Sequence, residues 1–228
     1  MPFTVKNGKA IAMGDIFLGR TVDSTIEAGH FKPSALKIWP QSIIPFVIEE
    51  GLDEALILQA ITKINAASPV RWVPRPSGAP YFVGFFKGEE PELCLSQLGF
   101  QGVKETPQPI YLGENCGVKE ILHELLHTMG LVHEHSRPDR DNWIQVHWEN
   151  IPEEFHSQFA KVSPLWAPKA VLQEFDYNSL MLYTPYTFSI SSSLPAISSR
   201  IEGKSLHLKA PVDLSEGDLL KLNRLYKK

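Results

Sequence analysis

The chain has 228 residues, enough for one large domain or for two lobes around a substantial core. Apolar residues make up 43% and charged residues 21%, the balance of an ordinary globular fold, and a net charge of −4 gives no footprint for nucleic acid. No stretch is long and apolar enough for a membrane-spanning helix, so no membrane partner is expected.

Residues 1–34 stand apart in composition, rich in Gly, Lys, Thr and Asp with weak periodicity. The first six residues lack the apolar core of a secretion signal. Three options stay open: a signal already removed, another export route, or residence inside the cell. Ala12-Met13-Gly14-Asp15 reads as a turn that carries one carboxylate. From Lys37 the pattern firms. Ile43–Ile48 reads as a strand, with Pro45 marking an edge or the strand's start. Leu56, Ile57, Ala60, Ile61 and Ile64 form one apolar face of a helix over residues 52–67. Arg71–Val73 is a short strand. Tyr81–Phe86, apolar on both faces, reads as a central one. Cys94 and Cys116 permit one disulfide, or stand as two buried thiols. Gln108–Leu112 is a further strand.

The densest chemistry lies in residues 123–135, which hold four of the eight histidines. Ile121, Leu122, Leu125 and Leu126 give a helix over 117–129 its buried side. His123 and His127, four apart, then stack on one face and can share a zinc ion. Glu124 follows the first ligand and can reach a water on that zinc. Gly130 sits where a helix stops in a left-handed turn, which lets the chain swing His133 back as a third ligand. Three protein nitrogens leave a fourth position open, as in a catalytic site. A bare HExxH also arises by chance on solvated helices; the glycine and third histidine in register make that reading improbable. Downstream, Ile144–Trp148 is an extended piece and residues 163–200 are irregular. Ser215 caps a final helix with Asp218 three later, and Leu219, Leu222, Leu225 and Tyr226 form its buried face.

His123 to Asp141, HELLHTMGLVHEHSRPDRD, resembles the signature of the astacin family of zinc endopeptidases, HExxHxxGxxHExxRxDRD. Trp39-Pro40 with Ile44-Pro45-Phe46 is similar to the start of that family's mature domain, and the closing helix is similar to its last one. The resemblance implies an α+β metzincin fold. That fold has a twisted, mostly parallel sheet with an antiparallel edge strand and two long helices in an N-terminal lobe (35–130), then an irregular C-terminal lobe (131–228) ending in a helix. It implies one Zn²⁺ per chain on His123, His127 and His133, with Glu124 as general base. Ser179-Leu180-Met181-Leu182-Tyr183 resembles the family's SxMHY turn. Met181 is thus implied to lie beneath the metal and Tyr183 to stabilise the transition state, while Leu182 departs from the usual histidine and is taken as local packing. Cys94 and Cys116 match one family disulfide; partners for a second are missing. Residues 1–34 correspond to a prosegment acting as the chain's own inhibitor. Its FxGD motif is met here by Gly14 and Asp15, with Ala12 in place of the aromatic. Asp15 is then a latency switch on the zinc, cleavage is expected between Gly29 and Leu36, and the new N-terminus is expected near Glu134. The substrate is expected to be a peptide or protein, extended along the edge strand at Leu95–Gly99. The chain is expected to act as a monomer, outside a bacterial cell. The alternative is another zinc hydrolase on the same metal site, such as an aminopeptidase.

Overall fold

A computed structural model describes residues 2–21, 34–172 and 174–227. Most of the expected cleavage window, residues 29–33, lies outside the described residues. The chain divides into two compact units, one of residues 15–17, 36–131 and 219–228, the other of residues 1–14, 18–35 and 132–218.

The first of these is built on a sheet. In chain order its main strands are β4 (Ile43–Ile48), β5 (Arg71–Pro74), β6 (Val83–Lys87), β7 (Cys94–Ser96) and β8 (Gln108–Leu112). These strands are preceded in the chain by β1 (Thr4–Lys6), β2 (Lys9–Ala12) and β3 (Ile16–Arg20). The order β5-β4-β6-β8 is parallel throughout, and β7 joins β8 antiparallel. β6 is central as its apolar faces require, with Val83 and Phe85 fully buried. Pro45 does not mark an edge, since β4 is flanked on both sides. Phe46 turns its carbonyl toward β5, where it accepts from the Arg75 amide at 2.9 Å, so the missing N–H of Pro45 faces β6. The β6 pairing starts one residue later, at Phe46 opposite Val83. The proline thus falls where no ladder bond is lost.

Two helices pack on this sheet and on each other: α1 (Glu54–Ala67) and α2 (Val118–Thr128). α1 starts where Asp53 accepts from the amides of Ala55 and Leu56, and buries Ile57, Ala60, Ile61 and Ile64. A disulfide joins Cys94 on β7 to Cys116, just before Gly117 caps α2. At the far end of α2 the Leu131 amide bonds the Leu126 carbonyl and the Gly130 amide bonds that of His127, at 3.0 and 2.8 Å. This is a Schellman turn. Gly130 has φ +103°, a conformation that disfavours any side chain, and a Cβ there would meet Leu36.

The second unit carries the β1–β2 hairpin and long irregular stretches. Its regular pieces are short: β9 (Ile144–Val146) pairs antiparallel with β10 (Ile197–Ser199). Its core gathers Ile144, Val146, Phe159, Phe175, Leu182 and Ile197. Leu182, the departure from the family turn, is simply one of these core residues. A buried polar knot stands in for secondary structure. Arg137, 1% exposed, forks both ends of its guanidinium onto Asp139 at 2.9 and 2.8 Å. It also donates to Glu134 and to the carbonyls of Leu172 and Glu174. Asp139 is held below the usual carboxylate range by Arg137, against the opposing cost of its burial. Arg140 ties the carbonyls of His135 and Phe159, both at 2.7 Å. The closing helix α3 (Glu216–Tyr226) opens with the expected reciprocal cap: Ser215 Oγ accepts from the Asp218 amide, and Asp218 accepts from that of Ser215.

Removing one partner of a buried, fully bonded charge strands the others. Arg137→Ala is expected to cost about 3–5 kcal/mol. Arg137→Lys is expected to recover little of it, since lysine lacks the planar fork. Chemical denaturation of the three proteins checks this.

Candidate metal centre

One face of α2 sets the first two candidate ligands. His123 and His127 lie a turn apart, with their rings 4.7 Å from centre to centre. The Schellman turn at Gly130 then reverses the chain, and His133 follows, fully buried. Met13 and Gly14, both at positive φ (52° and 95°), form the turn that delivers Asp15. Asp15 Oδ2 lies 3.2 Å from His123 Nε2, and Oδ1 lies 3.3 Å from His127 Nε2. One candidate ligand atom from each of Asp15, His123, His127 and His133 falls within 4.8 Å of all the others, a group able to hold a metal ion among the described residues.

The protonation pattern fits a cation. His127 Nδ1 sits 2.7 Å from the Leu131 carbonyl, which can only accept, so the proton of the neutral ring is on Nδ1. Nε2 is then a bare lone pair turned toward a carboxylate. Two facing acceptors repel unless a positive charge lies between them. The separations suit the same ion: two donors each about 2.0–2.1 Å from one tetrahedral zinc stand about 3.3 Å apart. The Leu131 carbonyl is the outer partner that orients a ligating imidazole.

Glu124, next to the first ligand, is 2% exposed. Burial first and the Asp15 charge second push its pKa up to about 8, while His123 and Ser96 pull the other way. Tyr183 donates to the Met13 carbonyl at 3.3 Å. Its ring lies flat against that of His135, 3.7 Å between centres and 23° between planes. His135 in turn stacks on His133 at 4.9 Å. Met181 is 1% exposed; its amide donates to Ser179 Oγ and its carbonyl accepts from the Glu134 amide at 2.9 Å. Asp218 clamps the same turn, accepting from Ser179 Oγ at 2.6 Å and from the Leu180 amide at 3.0 Å. Glu134 is buried and accepts from Arg137 and from the Asp176 amide. The edge at Leu95–Gly99 is occupied. Ile16 pairs there with Ser96 in parallel sense, the Ser96 amide bonds the Asp15 carbonyl, and the Phe100 amide bonds Lys37.

Sequence reading picked out His123, His127, His133, Asp15 and Glu124, and their side chains gather here. It gave His135 no role and read Asp218 only as part of a helix cap. His135 offered a signal, as a fourth histidine two residues after a ligand. The Asp218 clamp spans 39 residues, and nothing local announces it.

The profile of the astacin family (Astacin, Peptidase family M12A) matches residues 31–227. Zinc metalloproteinase nas-7 of Caenorhabditis elegans is 33% identical over 199 residues, 84% of this chain and 49% of that protein. Meprin A subunit alpha of Rattus norvegicus is 31% identical over 229 residues, 96% of this chain and 28% of that protein. The chain thus spans half or less of the length of these relatives. Among solved structures, High choriolytic enzyme 1, a hatching enzyme zinc-protease from Oryzias latipes, superposes with TM-score 0.67 at 26% identity, covering 85% of this chain and 98% of that one.

A raised carboxyl pKa lowers stability as pH climbs. Between about 4.5 and 8 the unfolded Glu124 gives up its proton while the folded one keeps it. The metal-free parent is therefore expected to lose more stability from pH 5 to pH 8 than Glu124→Gln does. Thermal melts of both proteins in chelator at the two pH values check the sign.

Proposed function

The chain belongs to the astacin family of metallopeptidases, and on that premise we propose that it is a zinc-dependent endopeptidase held latent by its own leading segment. The observation that carries the reading is the convergence of Asp15, His123, His127 and His133 within 4.8 Å, with Glu124 beside them.

His123, His127 and His133 would hold Zn²⁺ as neutral imidazoles. Bound there, the ion supplies Lewis acidity, which acidifies a water and polarises the scissile carbonyl. Glu124 takes the proton of the attacking water and delivers it to the leaving amine. Tyr183 donates its hydroxyl to the oxyanion that develops on the substrate. In the full chain that hydroxyl is engaged by the Met13 carbonyl. Met181, pinned by Ser179 and by the Glu134 amide, forms the floor below the ligands.

Residues 1–34 act as the inhibitor. With the ion bound, Asp15 would take the place of the water. Asp15 and Ile16 lie on the β7 edge that an extended peptide would use. They run parallel to β7, which keeps a peptide bond of the segment from presenting itself as substrate would. Cleavage before Leu36 releases the switch, and the new N-terminus settles near the buried Glu134. The substrate is a peptide or protein, the working form a monomer, and the place of action outside the cell. Among the described residues no helix is long and apolar enough to cross a membrane.

Glu124→Ala is expected to retain one zinc per chain and to lose peptidase activity, about 10²–10⁴-fold, as befits removal of a general base. Metal analysis with casein hydrolysis checks both halves; retained turnover removes Glu124 from the role of base. Asp15→Ala is expected to make the full-length chain active without processing, and a variant as inert as its parent removes Asp15 as the switch. A peptide library distinguishes internal cleavage from the terminal trimming of an aminopeptidase.

A further inference from the structure

Gln158 is a buried amide with unused bonding capacity at the centre of this chemistry. The residue is 9% exposed, and its Oε1 accepts no hydrogen bond from any described residue. A buried, unused acceptor costs about 1–3 kcal/mol and calls for an explanation. The backbone of Gln158 is fixed: its carbonyl lies 3.3 Å from His135 Nε2, and Phe159 beside it packs edge-on against Tyr183. The side chain is aimed at the switch turn. A Cβ built on Gly14 would lie 2.6 Å from Gln158 Oε1 and 3.2 Å from the Tyr183 hydroxyl. The two polar groups therefore look at one point, and in the full chain only a glycine backbone fits there.

We propose that Gln158 is a peptide-binding residue of the active enzyme, its Oε1 accepting a backbone N–H of the substrate at the place where Met13 and Gly14 now lie. The inference rests on the peptidase reading and extends it. Tyr183 faces the oxyanion from this side of the site, so a peptide that reaches Tyr183 passes the carboxamide. The oxygen that is idle in the full chain then gains the donor it lacks. Because the contact is to backbone, it fixes the register of the peptide without selecting a side chain. Gly14 follows from the same geometry: any side chain at that position would press on the carboxamide and the phenol together.

The test compares the zinc-loaded full chain, after tryptic release of the leading segment, with Q158L and Q158E. The substrates are one cleaved peptide and a set in which each backbone amide except the scissile one is replaced by an ester. That exchange deletes a single N–H. In the parent, one ester position is expected to lower kcat/KM about five- to tenfold, the worth of one hydrogen bond. Q158L is expected to lose that factor on the all-amide peptide and to show no further penalty at that ester. Q158E keeps a carbonyl-type acceptor and is expected to keep the penalty. The melting temperature of Q158L is expected to match or exceed that of the parent, since leucine leaves no acceptor unused. Equal cleavage of the all-amide peptide by Q158L and parent overturns the assignment, and so does an ester penalty that survives in Q158L. A processed parent that cleaves no peptide overturns the peptidase reading and this assignment with it; a parent that cleaves while Q158L is unaffected overturns this assignment alone.

Discussion

One atom from each of Asp15, His123, His127 and His133 falls within 4.8 Å of all the others, and a cation among them suits that arrangement. The bare Nε2 of His127 and the charge of Asp15 repel one another unless a positive charge lies between them. The rest of the fold can be read as the scaffolding that holds these groups together. α2 fixes His123 and His127 by its pitch. The Schellman turn at Gly130 supplies both the reversal to His133 and the Leu131 carbonyl that orients His127. The disulfide anchors the start of α2 to β7, the strand on which the Asp15 segment lies.

Support for the third histidine, His133, is of another kind. His133 lies in irregular chain, where no helix ladder fixes its backbone. Hydrogen bonds through side chains take over that task. Asp218 holds Ser179, Ser179 holds the Met181 amide, and the Met181 carbonyl receives the amide of Glu134, the residue after His133. Arg137 fastens the same Glu134 from the other direction. A buried polar network of this type is costly when broken and specific when complete, which suits the placing of one ligand to within tenths of an ångström.

What could be read from the sequence divides along the same line. The pairing of His123 and His127 on one face of α2 was legible because i, i+4 spacing on an amphipathic helix is a local property. The Ser215–Asp218 cap and the central place of β6 were legible for the same reason. Strands β2 and β3 were not: Lys9–Ala12 is buried on both faces and shows no alternation, and Gly19 weakens the pattern of the second. The occupied edge of β7 was missed because a pairing with Ile16 spans eighty residues of sequence. The roles of Asp218, His135 and Gln158 come from distant contacts, each made by a residue type that is common on surfaces. Pro45 was misplaced for a subtler reason. Whether a missing N–H matters depends on which neighbour it faces, and that is a property of the assembled sheet.

X-ray absorption at the zinc edge, on the full-length chain loaded with one equivalent of metal, tests the central claim most directly. The account predicts a four-coordinate ion with three imidazole nitrogens and one carboxylate oxygen at about 2.0–2.1 Å. It also predicts that Asp15→Ala exchanges the carboxylate for water while His133→Ala removes one imidazole. A spectrum with two imidazoles in the parent, or one unchanged by Asp15→Ala, would contradict it.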